Sequence, residues 1–294
     1  MTNHTCIDLR HLDLDGAIAC YLVDGDEPAI IDPGPTTTLD RLVAELDGLG
    51  VASQDLRWVL LTHIHLDHAG ATGHLLDHFP NARVHVHEDG ASHMVDPERL
   101  VSSTRRTFGA LHERLGGAGQ PVPSDRIRRW RPDDGGNVAG LRPVHTPGHI
   151  SHHLAYLDEN DGTLFAGDSM GIALSGGPQH PPTPPPAVNL PDWARTLEVI
   201  GKLGPERFGA THFGFHTDVE ERRVQLRDRL EALEARVRAA IEAGTEAEDA
   251  EEFEREVRRE LAPFMGEERV NRYFDMFPAR TDWAGVAFYV TRNP

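Results

Sequence analysis

Thr62-His63-Ile64-His65-Leu66-Asp67-His68 is the stretch that decides the fold of this chain. It follows the apolar run Trp58 to Leu61, which reads as a short buried strand, and precedes helical spacing through Leu75, Leu76 and Phe79 that stops at Pro80. Four ligand-type residues thus fall within six positions, where a strand gives way to a helix. Neutral imidazole offers one nitrogen lone pair, which makes histidine the commonest side chain for zinc and similar divalent ions. Side chains two apart on an extended segment point the same way, so His63 and His65 can hold one ion. The chain then turns, and Asp67 and His68 can face a second. A carboxylate plus an imidazole suits zinc, iron or manganese. A lone His-x-His would read as a histidine-rich surface turn; this density of donors argues against that.

Other donors also follow strands. His149 lies in Thr146-Pro147-Gly148-His149, a rigid turn after the strand-like run Leu141 to Val144. Asp168 ends the run Thr163 to Ala166, and His212 follows Phe208 to Ala210. Strand ends on one edge of an α/β sheet converge on one cleft. His153 to Leu157 reads as a further strand. His152 and His153 alternate there and cannot both face a site, so with His145 they are set aside as ligands.

Upstream, Ile18 to Asp24 and Pro28 to Asp32 read as a hairpin around Gly25, followed by the turn Asp32-Pro33-Gly34-Pro35. Leu39, Leu42, Val43, Leu46 and Leu49 then keep helical spacing up to Gly50, and Arg83 to His87 reads as a strand. The ordered set Asp32, His63-x-His65-x-Asp67-His68, His149, Asp168 and His212 resembles the metallo-β-lactamase fold superfamily over about residues 15 to 216. The resemblance implies an α/β fold, an αβ/βα four-layer sandwich of two mixed sheets with helices outside. It implies a first metal on His63, His65 and His149 and a second on Asp67, His68 and His212. Asp168 would bridge both, so Asp67 and Asp168 are the carboxylates expected at the reacting centre. Asp32 is implied as a support of the metal-binding loop, orienting ligands without being one.

The expected cofactors are two divalent transition-metal ions, zinc first, with iron or manganese as alternatives. Two such ions about 3.5–4 Å apart can share a water and bring its pKa near neutrality, giving a hydroxide nucleophile without help from Ser or Cys. The expected reaction is hydrolysis of a small ester, thioester or lactone, as in the glyoxalase II and lactonase-like branch of the family. β-Lactamase activity itself is not expected, because true β-lactamases of the superfamily lack the bridging Asp that Asp168 supplies. Two other readings stay open: a mononuclear iron oxidoreductase resembling persulfide dioxygenases, and a phosphodiester hydrolase. No cluster of Lys and Arg with Tyr that would grip a glutathione carboxylate is legible in the sequence.

The formal net charge of -18 repels phosphate backbones and argues against nucleic acid as a partner. No apolar run approaches the ~20 residues that cross a bilayer, and the N-terminal residues lack the basic and apolar regions of a signal peptide. A cytoplasmic protein without membrane association is therefore expected, acting on a small molecule; a homo-oligomer is compatible with the composition. Cys6 and Cys20 are the two cysteines and read as reduced thiols on paired strands.

Composition shifts after His216. Leu226, Leu230, Leu233, Val237 and Ile241 form one stripe on a long helix ending at Gly244. Thr245-Glu246-Ala247-Glu248 has a capping-box pattern, opening a helix striped by Ala250, Phe253, Val257 and Leu261 that Pro263 is expected to stop. Val270, Tyr273, Phe274 and Phe277 mark a third helix. Two units follow: a catalytic domain over residues 1–216 and a helical C-terminal region over 217–294 packed on it. Ser175 to Pro191, with six prolines from Pro181 onward, reads as a stiff extended loop, either a wall of the pocket or a plain connector.

Overall fold

Strands sandwiched between layers are buried on both faces, and Ala19-Cys20-Tyr21-Leu22-Val23 and Thr163-Leu164-Phe165-Ala166-Gly167 are buried at every position. The computed structural model of the protein describes residues 4–117 and 119–293. Six strands, β1 His4–Asp8, β2 Ala19–Val23, β3 Ala29–Ile31, β4 Trp58–Leu60, β5 Arg83–His87 and β6 Ile127–Trp130, form one sheet in chain order. Its first three strands are antiparallel neighbours and the rest run parallel. The second sheet holds β7 Arg142–His145, β8 Leu154–Asp158, β9 Thr163–Gly167, β10 Arg207–Ala210 and β11 Gly214–His216, in the order β11-β10-β9-β8-β7.

The helices are α1 Leu39–Gly48, α2 Leu66–Ala69, α3 Thr72–His78, α4 Glu88–Val95, α5 Glu98–Phe108, α6 His112–Leu115 and α7 Leu190–Leu203. After them come α8 Val219–Ala243, α9 Glu246–Met265, α10 Glu267–Met276 and α11 Ala279–Arg292. Side-chain alternation sorts the layers. Val59 points into a cluster with Leu42, Leu46 and Leu75 of α1 and α3, while its neighbour Leu60 joins Tyr21, Leu154, Tyr156 and Phe165 between the sheets. On the outer face of the second sheet, Ala155, Leu164 and Phe208 pack with Trp193 and Leu197 of α7, Leu226 and Leu233 of α8 and Val286 of α11. The αβ/βα sandwich is therefore present, and the C-terminal helices share a hydrophobic cluster with its second sheet. None of the helices among the described residues is long and apolar enough to cross a membrane.

Three local readings are corrected. Thr245 caps α9 without a side-chain hydrogen bond, so the capping box does not close. Pro263 does not stop α9, which runs on to Met265; Leu261 and Met265 are both buried in the cluster under α10. The proline loop ends before Pro191: Leu190 and Pro191 already open α7, which the Asn189 side chain caps. The paired-strand reading of the cysteines holds: Cys6 lies opposite Tyr21 and Cys20 opposite Ile7, and both thiols are free.

Candidate metal centre

The seven predicted donors meet where strands of both sheets end. The run after β4 delivers His63 and His65, and the four-residue α2 carries Asp67 and His68. His149 follows β7, Asp168 directly follows β9, and His212 follows β10. His65 Nδ1 lies 2.9 Å from His63 Nε2 and 2.9 Å from His149 Nε2. His212 Nε2 is 3.4 Å from Asp67 Oδ2, and His68 Nε2 is 3.8 Å from that same oxygen. Asp168 lies between the two groups: Oδ2 is 3.4 Å from His149 Nε2, and Oδ1 is 3.4 Å from His68 Nε2 and 3.9 Å from His212 Nε2. The donor atoms of His63, His65 and His149 fall within 4.8 Å of one another, as do those of Asp67, His68 and His212.

The outer ring nitrogens are anchored on oxygen atoms. His149 Nδ1 donates to the Pro182 carbonyl at 2.8 Å and His212 Nδ1 to the Ala17 carbonyl at 3.0 Å. His63 Nδ1 meets the Thr62 hydroxyl at 3.1 Å, which in turn donates to Asp32 Oδ2 at 2.7 Å. His68 Nδ1 lies 2.8 Å from Asp32 Oδ2. Each such bond selects the tautomer whose lone pair faces inward. Asp32 also accepts the Thr62 amide at 2.8 Å and the Thr211 hydroxyl at 2.9 Å, and it is fully buried.

Burial and mutual repulsion set the charges. Burial and the neighbouring imidazoles, His68 first, hold His63 well below its ordinary pKa. Burial and His149 push His65 down to about 3. Burial alone would raise Asp168, but His68 and His149 outweigh it and hold the carboxyl well below its usual range. Burial likewise opposes a charge on His68, yet Asp168, Asp67 and Asp32 raise its pKa well above the ordinary value. Inward lone pairs beside carboxylates make a cation site. His68 Nε2 and Asp168 Oδ1 are buried with no hydrogen-bond partner among the described residues, as donors to a metal would be. The donor set therefore fits divalent ions.

Several supporting residues escape a motif search. His153, which its alternation with His152 left out of the ligand set, stacks on His63 at 5.0 Å, and its Nε2 accepts the Asp168 backbone N–H at 3.1 Å. Gly167 has φ +53, and a Cβ there would lie 2.7 Å from His153 Nε2 and from Thr62, so only glycine lets β9 approach the site this closely. Thr precedes both His63 and His212, a repeated Thr-His pair that is visible in the sequence. Gly167-Asp168-Ser169-Met170-Gly171 has the spacing of a serine nucleophile turn, but Ser169 is buried and its hydroxyl donates to the Ala166 carbonyl at 2.7 Å. It is committed to the turn.

The donors open on a cavity of about 460 Å³. His65, Asp67, His149, Asp168 and His212 line it. The proline loop contributes His180, Pro182 and Pro184 to Pro186, so it is a wall and not a plain connector. From the tail come Tyr273, Phe274 and Phe277, and from α5 come Arg99 and Arg106. Arginines and a tyrosine thus share the cavity, although no such cluster is legible in the sequence.

A profile of the metallo-beta-lactamase superfamily matches residues 14–212. A hydroxyacylglutathione hydrolase of Aeromonas salmonicida is 33% identical over 153 residues, covering 50% of this chain and 43% of that protein. The metallo-beta-lactamase family protein TTHA1429 of Thermus thermophilus superposes with a TM-score of 0.62 at 25% identity, over 94% of this chain and 89% of that one. TTHA1623, solved in a di-iron-bound form, gives a TM-score of 0.53 at 25% identity, over 68% of this chain and 89% of that one. The chain spans 61% of one curated relative it matches and 43% of another. With the profile covering well over half of its length, this chain belongs to the metallo-beta-lactamase superfamily.

Proposed function

We propose that this chain is a dinuclear metal-dependent hydrolase of a small ester, thioester or lactone. The observation that carries the reading is the pair of donor sets, His63-His65-His149 and Asp67-His68-His212, with Asp168 between them and one cavity in front. His63, His65 and His149 would hold one ion, Asp67, His68 and His212 the other, and Asp168 both. Zinc suits these nitrogen and carboxylate donors; iron and manganese suit them too, and the di-iron form of TTHA1623 bears on that choice. When bound, the two ions supply Lewis acidity and a nucleophilic water at neutral pH.

The chain's own residues do the rest. Asp32, Thr62 and the Pro182 and Ala17 carbonyls keep the imidazole lone pairs aimed inward. Asp67 keeps 24% of its side chain exposed at the cavity floor; burial alone would raise its pKa, but His68 and His212 outweigh that and hold the carboxyl well below its usual range, so it stays a charged donor. Phe274, Phe277 and the prolines exclude water from an acyl chain. In this reading residues 1–216 carry the donors and 217–294 supply one wall. The Aeromonas relative, whose name states hydrolysis of an acylated glutathione, supports the thioester arm. The test is turnover of 4-nitrophenyl esters, thioesters and lactones by metal-loaded protein. Activity should vanish with chelator and return with added zinc or manganese. A preparation with one iron that consumes oxygen on persulfides, or one that turns over only phosphodiesters, would replace this reading.

A further inference from the structure

Most arginines of this acidic chain sit against carboxylates, as Arg131 does on Glu88, Arg207 on Asp161 and Arg236 on Asp249. Arg99 and Arg106 depart from that pattern. Among the described residues neither makes an ion pair or a hydrogen bond, while the adjacent Arg105 pairs with Glu113. Both lie on α5 with Ser103, at i, i+4 and i+7, which places the three on one helix face. All three line the cavity in front of the metal donors.

Charge balance in that cavity is one-sided. Asp67 and Asp168 would be matched by the two ions they help to hold. Asp282, the remaining lining carboxylate, already accepts the Thr183 amide at 2.7 Å and pairs with His180 at 2.8 Å. With metal in place, the two guanidiniums are the charged side chains of the lining left without a counter-ion. An acidic surface repels anions in general, so unmatched arginines at the cavity give a local attraction there. A guanidinium presents a planar fork of donors that fits a carboxylate or a phosphate.

We infer that Arg99, Ser103 and Arg106 form a subsite for an oxyanion at the far end of the substrate, so that the chain takes acyl compounds bearing a terminal carboxylate or phosphate. The acyl chain then lies along Phe274, Phe277 and the prolines, between the metal donors and α5. This rests on the hydrolase reading for the word substrate, and on the cavity alone for the binding site.

Calorimetry on the metal-loaded protein tests it with three ligand series: linear monocarboxylates, dicarboxylates and ω-phosphonocarboxylates. Chain lengths of roughly five to ten carbons span a pocket of ordinary ligand size. At one or more lengths, a second anionic group should tighten binding about tenfold over the monocarboxylate, the scale of a charge-assisted hydrogen bond. The stronger of the two doubly anionic series tells carboxylate from phosphate. In the double variant R99Q/R106Q that advantage should disappear while monocarboxylate affinity and metal content stay unchanged. Equal affinity across the three series at every length, or an advantage that survives in the variant, overturns the subsite. The 4-nitrophenyl esters of the same acids separate the two ideas. Arginine-dependent binding without turnover sinks the hydrolase reading and keeps the subsite; turnover indifferent to the second charge does the reverse.

Discussion

Asp32 Oδ2 lies 2.8 Å from His68 Nδ1, and the same oxygen accepts the hydroxyls of Thr62 and Thr211 at 2.7 and 2.9 Å. One buried carboxylate thereby ties together the loop after β3, the donor run after β4 and the turn after β10. In the proposed centre it would orient ligands without being one. Asp32→Ala should leave its buried donors unmatched and lower metal affinity by about 10–100-fold. Asp32→Asn keeps the shape but cannot accept every one of these bonds, and should fall between. Competition with a chromogenic chelator measures this, and wild-type affinity in both variants would remove Asp32 from the account.

Metal content tests the centre itself. Elemental analysis of protein purified without chelator should approach two equivalents per chain. Asp168→Ala removes the carboxylate between the two donor sets, so it should lower content toward one equivalent and abolish most turnover. The far-ultraviolet circular dichroism should not change, since the sheets are held by other residues. Full occupancy and activity in this variant would refute the bridging role.

His85 predicts a pH effect away from the metals. It is fully buried; its Nδ1 meets the Tyr156 hydroxyl at 3.0 Å, and its Nε2 has no partner among the described residues. Burial, helped by Arg128, pushes its pKa down to about 3. Unfolded, the group titrates at about 6.5, so between these values the unfolded chain binds a proton that the fold refuses. Stability is therefore lost as pH falls from about 6.5 toward 3, by at most about 1.4 kcal/mol per pH unit for this one group. His85→Gln should flatten the dependence of urea-unfolding free energy on pH by about one proton. Identical slopes for the two proteins would show that His85 is not excluded from charging.

The donor run was legible because its chemistry is local: four ligand-type residues in the six positions from His63 to His68 leave little else to explain them. The supporting residues were not. His153 and Asp168 meet only because β8 and β9 are neighbours, and Asp32 reaches Thr211 across 179 residues. The helix α7 carried readable signals, Asn189 before Pro191 and then Trp193, Leu197 and Ile200 at helical spacing, but the adjoining prolines masked them. Pro263 failed as punctuation for the opposite reason, since tertiary burial of Leu261 and Met265 outweighs local propensity, whereas Thr245 does mark the start of α9, without a side-chain cap. Arg99 and Arg106 look like any exposed helix positions until α5 is laid along the cavity.

The last prediction concerns the wall made by the proline loop. Helix α11 approaches it closely enough that a Cβ on Gly285 would collide with the Thr183 carbonyl oxygen. One turn earlier, Asp282 holds the loop through the Thr183 amide at 2.7 Å and through His180 at 2.8 Å, while its own carbonyl accepts the Thr183 hydroxyl at 2.9 Å. The loop in turn offers the Pro182 carbonyl to His149. Two separable effects follow. Gly285→Ala drives a methyl group into the Thr183 backbone and should displace the wall outright. Asp282→Ala leaves the backbone contact intact but strands a buried amide and an imidazole, at a cost of about 1–3 kcal/mol. Both should raise KM for the best acyl substrate, and Gly285→Ala should raise it more. Tyr273→Ala and Phe277→Ala, which enlarge the cavity without touching the tether, should raise KM with metal content unchanged. Should all four variants lower only the melting temperature and leave KM where it was, the tail and loop would be packing alone, and substrate would be selected elsewhere.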